Sequence, residues 1–195
     1  ILSMSGGKLS TAVFLIFGVT AFLSMWISNT ATAAMMLPLA LGILTQVDRE
    51  KDRGTFVFVL LGIAYSASLG GLGTIVGSPP NAIAAKALDI AFVDWMKFGI
   101  PMMLVLLPLL LGAMYVYLKP NLNRKIVLLE DEPIAWNKPR IVTIIVFIIT
   151  ALRWIYSNKI DAALDITDTD DVSSLSACAA VVSLGYVSWK KVFES

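Results

Sequence analysis

Long apolar runs parted by short polar stretches set the layout of this chain. Apolar residues fill 9–27 and 31–47, with only Ser28, Asn29 and Thr30 between them. A charged loop from Asp48 to Arg53 follows, then an apolar run over 54–72. A break rich in Gly and Pro extends from Gly70 to Pro80, with a short helical continuation over 81–90. A long span covers 95–118, a charged connector 119–140 and a further span 141–156. An acidic loop at 157–171 leads to a last span at 172–189. Roughly 20 consecutive apolar residues cross a bilayer core, so the pattern predicts an all-α, multi-pass membrane protein.

Composition strengthens that reading. Hydrophobic residues make up 57% and charged residues 15% of the chain, against about a quarter charged in soluble domains; the mean hydropathy is +0.80. No charge falls between Lys8 and Asp48, between Arg53 and Lys86, or between Lys97 and Lys119. The net charge of +1 gives no reason to expect a nucleic-acid partner. Histidine is absent and Cys178 is the single cysteine, which excludes His-based catalysis, His metal sites and an internal disulfide. The chain does not begin with Met and carries no signal-peptide pattern, so it reads as an internal piece of a longer protein.

Charge placement also orients the spans. Basic residues gather at 48–53, at 119–140 and at Lys190 and Lys191, whereas 157–171 holds Lys159 beside five aspartates. Alternating the spans puts every basic segment on the cytoplasmic side of the inner membrane. Residues 9–47 fit either two full crossings or a re-entrant hairpin, since both return each end to the cytoplasm. The turn at 28–30 has no charge, Gly or Pro, which favours the hairpin; such backbone is tolerated only when buried in protein or lining a cavity.

The two breaks carry the candidate chemistry. Ser24 and Ser28 are four apart and would share a helix face, and Asn29 or Thr30 could cap a helix starting near Ala31. Hydroxyl, amide and freed carbonyl oxygens suit Na⁺, although such residues also serve as ordinary glue between membrane helices. The second break places glycines at 70, 71, 73 and 77 before Pro79 and Pro80. Ser78 reads as an N-cap with Pro79 at the first helical position, leaving upstream carbonyls free for a cation. A plain proline kink is the alternative. Two half-helix N-termini, near Ala31 and near Asn81, would turn positive dipole ends into one cavity and bind an anion with no Arg or Lys. An adjacent Na⁺ would offset the anion's charge. Trp95 and the other tryptophans read as interfacial aromatics. With no acid–base pair in the breaks, an enzyme is not expected, and an occluded site suits a carrier better than a channel.

SNTATAAMMLP, starting at Ser28, and GTIVGSPPNAIAA, starting at Gly73, resemble the divalent anion/sodium symporter family, which includes the bacterial INDY-type dicarboxylate carriers. The resemblance implies an inverted-repeat transporter, each repeat carrying a re-entrant helix hairpin and a discontinuous transmembrane helix. It implies a homodimer in a lipid bilayer, with Na⁺ as coupling ion, no organic cofactor and a small dicarboxylate such as succinate, malate or fumarate as cargo. By resemblance, Ser24, Ser28, Asn29 and Gly77 match a sodium site, and Asn29, Thr30, Ser78 and Pro79 match half of a substrate site. Residues 1–94 then form part of a transport domain, with the hairpin at 9–47 and the broken helix at 54–90. Residues 95–140 supply a span and connector, and 141–195 two spans opening the second repeat. No second Ser-Asn-Thr or Pro-Pro-Asn motif occurs, so the other half of the site is expected beyond Ser195, and this piece alone is expected to transport nothing. A dicarboxylate exchanger, or a sulfate or citrate carrier of the same fold, is the alternative.

Overall fold

The computed structural model describes residues 8–124 and 138–156, and all regular structure among them is helical. The order is α1 (Leu9–Ser24), α2 (Asn29–Leu44), α3 (Arg53–Gly70), a 3₁₀ turn (Gly71–Gly73), α4 (Pro79–Ala87), α5 (Phe92–Leu118) and α6 (Lys138–Ile155). The expected connector beyond Arg124, the acidic loop and the last span lie outside the described residues. The helices match the apolar runs, with shifted ends. The second run begins at Asn29, not Ala31, because Ser28 is the cap: its Oγ accepts from Ala31 N at 3.4 Å. The fourth begins at Pro79 after an extended Ser78, as expected from proline's missing N–H and fixed φ at a first helical turn.

The chain divides into two compact units, residues 1–90 with 94–132 and residues 91–93 with 133–195. In the first unit α1, α2 and α3 pack against one another in every pairing. Phe17 and Phe58 meet edge-on with ring centroids 5.6 Å apart, and Tyr115 packs edge-on to Phe58 at 6.0 Å. Small residues let the backbones approach. A Cβ on Gly62 would lie 2.1 Å from the Phe17 ring, and one on Gly70 would lie 2.3 Å from the Ala21 carbonyl oxygen. One end of this unit is tied by Leu9 N donating to Arg124 O (3.0 Å), Asn121 N donating to Thr55 Oγ1 (2.9 Å) and an Arg124–Asp52 ion pair at 2.6 Å. The charged 48–53 loop and residues 121–124 after α5 therefore share that end. In the second unit Phe92 packs on Trp154, with centroids 5.7 Å apart.

Among the described residues, two helices, Arg53–Gly73 and Phe92–Leu118, are long and apolar enough to cross a membrane. The outer surface of α5 is apolar and exposed at Phe98, Leu104, Leu109 and Val116, an expanse too large for contact with water alone. α1 and α2, of 16 residues each, rise about 24 Å at ~1.5 Å per residue.

Candidate functional site

The C-terminal end of α1 meets the C-terminal end of α3 where both helices stop. Ser24 is fully buried as the last residue of α1, and its hydroxyl lies 2.7 Å from the Ala67 carbonyl oxygen and 2.7 Å from the Asn29 amide. Ala67 belongs to the last turn of α3, and its carbonyl also accepts the N–H of Gly71 at the helix end. The atom of the Asn29 amide that touches Ser24 also lies 3.1 Å from Ala67 O and 3.2 Å from Gly77 O. Four polar groups thus converge: a hydroxyl, a carboxamide and two backbone carbonyls. Ser24 and Ala67 sit at two helix C-termini, where the dipoles place partial negative charge, while Asn29 opens α2 and Gly77 precedes the cap of α4. This is an arrangement that can take a small hard cation, with oxygen ligands and no formal charge.

Glycine is required on the opposite wall. A Cβ on Gly71 would fall 2.2 Å from Asn29 Oδ1, and one on Gly77 would fall 2.4 Å from the Gly71 carbonyl oxygen. The unwound strand between α3 and α4 is held by side chains that satisfy its backbone. Asn81, buried in the first turns of α4, donates Nδ2 to Gly71 O (2.7 Å) and Thr74 O (2.9 Å). Thr74 Oγ1 donates to Met25 O and accepts from Gly77 N at 3.2 Å. Trp95 Nε1 in α5 donates to Leu72 O at 3.0 Å, and a Cβ on Gly99 would come within 2.4 Å of that same oxygen. The carbonyls of Gly71, Leu72 and Thr74 are thereby engaged; that of Ala67 accepts from Gly71 N and Ser24 Oγ, and it and that of Gly77 face the Asn29 amide.

Of the residues expected to hold sodium, Ser24, Asn29 and Gly77 are brought together. Ser28 is not: its exposed hydroxyl turns to Ala31 N as the cap of α2. Of those expected to meet substrate, Asn29 and Thr30 open α2, while Ser78 and Pro79 open α4. Thr30 and Pro79 are exposed and Ser78 and Asn29 half-buried, so all remain accessible at two positive helix ends. Sequence reasoning missed the Ala67 carbonyl, a backbone atom that no residue type marks. It also read Trp95 as an interfacial aromatic, whereas the indole N–H fastens α5 to the break. The apolar groove of about 610 Å³ lined by Phe14, Phe17, Leu107, Pro108 and Leu111 has no Asp, Glu, Lys or Arg in its wall and lies away from both breaks.

Comparison with known proteins places the chain among transporters. Residues 1–195 match the family described as citrate transporter. An uncharacterized transporter of Haemophilus influenzae is 50% identical over 98% of this chain and 43% of its own length. One from Methanocaldococcus jannaschii is 36% identical over 88% of this chain and 39% of its own length. The sodium-dependent dicarboxylate transporter SdcS of Staphylococcus aureus is 32% identical over 61% of this chain and 25% of its own length. The chain therefore spans less than half the length of these relatives. It belongs to the citrate transporter family, among relatives that include a sodium-dependent dicarboxylate transporter.

Proposed function

We propose that this chain carries one half of the binding site of a secondary-active symporter that moves C4-dicarboxylates with Na⁺ across the inner membrane by an elevator-type mechanism. The observation that carries the reading is the convergence of Ser24 Oγ, the Asn29 amide and the carbonyls of Ala67 and Gly77 beside the N-termini of α2 and α4. Helix N-termini bind carboxylates, and a cation held next to them offsets the anion's charge, which is costly to bury alone. Na⁺ sits among the oxygens, and one carboxylate of succinate, malate or fumarate lies against Asn29, Thr30, Ser78 and Pro79. The relative named for sodium-dependent dicarboxylate transport supports both ligands. The length of α1 and α2, short of the ~30 Å hydrocarbon core, supports a re-entrant hairpin. Transport occurs in a homodimer, each protomer built from inverted repeats.

The family's description as citrate transporter favours a second reading, a citrate carrier of the same fold. The test is uptake of labelled succinate into liposomes by the full-length protein, with and without a sodium gradient, beside an Asn29→Ala variant. Sodium-dependent uptake that the variant loses supports the symporter and its site. Uptake indifferent to sodium but dependent on internal anion replaces it with an exchanger, and uptake of citrate without succinate replaces it with the citrate carrier.

A further inference from the structure

The apolar groove of about 610 Å³ runs between residues 10–18 of α1 and 107–116 of α5. Two of its lining residues are glycines that packing within the described chain does not require. A Cβ on Gly18 or on Gly112 would meet no atom within 4 Å, unlike one on Gly62 or Gly70, where the neighbouring helix leaves no room. Both glycines widen the groove instead. At ~1.5 Å per residue the groove rises about 12–14 Å, close to one leaflet, half of the ~30 Å hydrocarbon core. A helix crossing the bilayer beside α5 would follow it through all 27 of its residues. A cleft confined to 107–116 suits an extended acyl chain of one leaflet better.

One end of the groove is polar. Ser10 and Asn123 line it there, and the bond from Leu9 N to Arg124 O joins the two segments that carry them. Asp52 takes the Arg124 guanidinium. Lys8 and Lys119 are exposed, and neither pairs with a described carboxylate. Lys119 stands one turn beyond Tyr115, a groove residue whose carbonyl accepts its N–H at 3.0 Å. Its φ of 44° lies in the left-handed region, where a helix stop ordinarily carries Gly and a long side chain is uncommon. A cation thus holds a place that backbone preference would give to glycine. We propose that the groove binds one acyl chain of an anionic phospholipid, with Lys8 and Lys119 holding the phosphate. Basic residues beside a membrane surface attract anionic headgroups, and the two glycines set the width for the chain. Such a site needs the bilayer but neither sodium nor a dicarboxylate, so it stands or falls apart from the transport reading.

The test reads the thermal midpoint of the full-length protein in detergent as phosphatidylglycerol, or phosphatidylcholine with the same acyl chains, is added. Wild type is expected to gain several degrees with phosphatidylglycerol and clearly less with phosphatidylcholine. No gain, or equal gains with the two lipids, overturns the anionic site. Gly112→Leu fills the groove from a position with open space beside it. Its lipid-free midpoint should stay close to that of wild type, while its phosphatidylglycerol gain falls by at least half; an undiminished gain takes the lipid out of the groove. Lys119→Gly relieves the left-handed backbone, so its lipid-free midpoint should equal or exceed that of wild type. Combined with Lys8→Gln, it should erase the preference for phosphatidylglycerol, and a preference that survives the pair overturns their role. Should Gly112→Leu fail to fold, photoreactive benzoylphenylalanine in place of Tyr115 decides in native membranes. A phospholipid adduct by mass spectrometry supports the site, and a crosslink to protein puts a helix in the groove and overturns it.

Discussion

Asn29 and Asn81 show how one residue type serves two ends at neighbouring positions. Asn81 is buried and spends both amide hydrogens on the carbonyls of Gly71 and Thr74, so it fixes the shape of the unwound strand. Replacing it with Ala leaves two carbonyls without donors, at roughly 1–3 kcal/mol each. Asn81→Ala should therefore lower the thermal midpoint of the full-length protein in choline as well as in sodium, as followed by differential scanning fluorimetry in detergent. Gly71 acts differently. The Cβ of Gly71→Ala would collide with the Asn29 amide and leave most of the helix packing untouched. The expected result is a sodium requirement for uptake at least tenfold higher, read from initial rates across a sodium titration, with modest loss of stability. Backbone groups explain what was hidden at this scale. The sequence names side chains, so Ser24 and Asn29 could be picked out, but the carbonyls of Ala67 and Gly77 act through atoms every residue possesses. Ser28 misled because four-residue spacing puts it beside Ser24 only if the helix continues, and α1 ends at Ser24 itself.

Element boundaries were legible wherever glycine and proline punctuate the chain. Gly70 and Gly71 end α3, and Pro79 and Pro80 start α4, within two residues of where their backbone chemistry demands. The role of α5 was not legible, because an apolar helix with an early Trp looks the same whether that Trp meets lipid headgroups or a buried carbonyl. Trp95→Phe removes the N–H to Leu72 O and keeps the ring. It should lower the midpoint by a few degrees, corresponding to about 1 kcal/mol for a lost hydrogen bond. Trp95→Phe with Leu72→Ala should recover none of that loss, since the acceptor is backbone. The hairpin yields a further prediction. If residues 25–28 lie within the membrane as proposed, single cysteines there should resist a membrane-impermeant maleimide applied from either side, whereas a cysteine at Glu50 should react readily from the cytoplasmic side. Labelling of both positions from opposite sides would replace the hairpin with two full crossings.

Among the described residues, the charged side chains gather at and beyond the ends of the apolar helices. The loop 48–53, the start of α1 and the segment after α5 meet at one end through Asp52 and Arg124. Arg124 is partly exposed but Asp52 is only 10% exposed, so Arg124→Gln leaves a largely buried carboxylate without its partner and should cost more than the ~1 kcal/mol of an exposed pair. A double-mutant cycle with Asp52→Asn should recover part of that cost. Both breaks are free of Lys, Arg, Asp and Glu, and this bears on energetics that no single contact reveals. Moving one elementary charge through the membrane field is worth ~2.3 kcal/mol per 100 mV. This half of the empty site brings no such charge of its own. On the proposed cycle its return is blind to membrane voltage, so any voltage dependence arising from this half enters with its passengers.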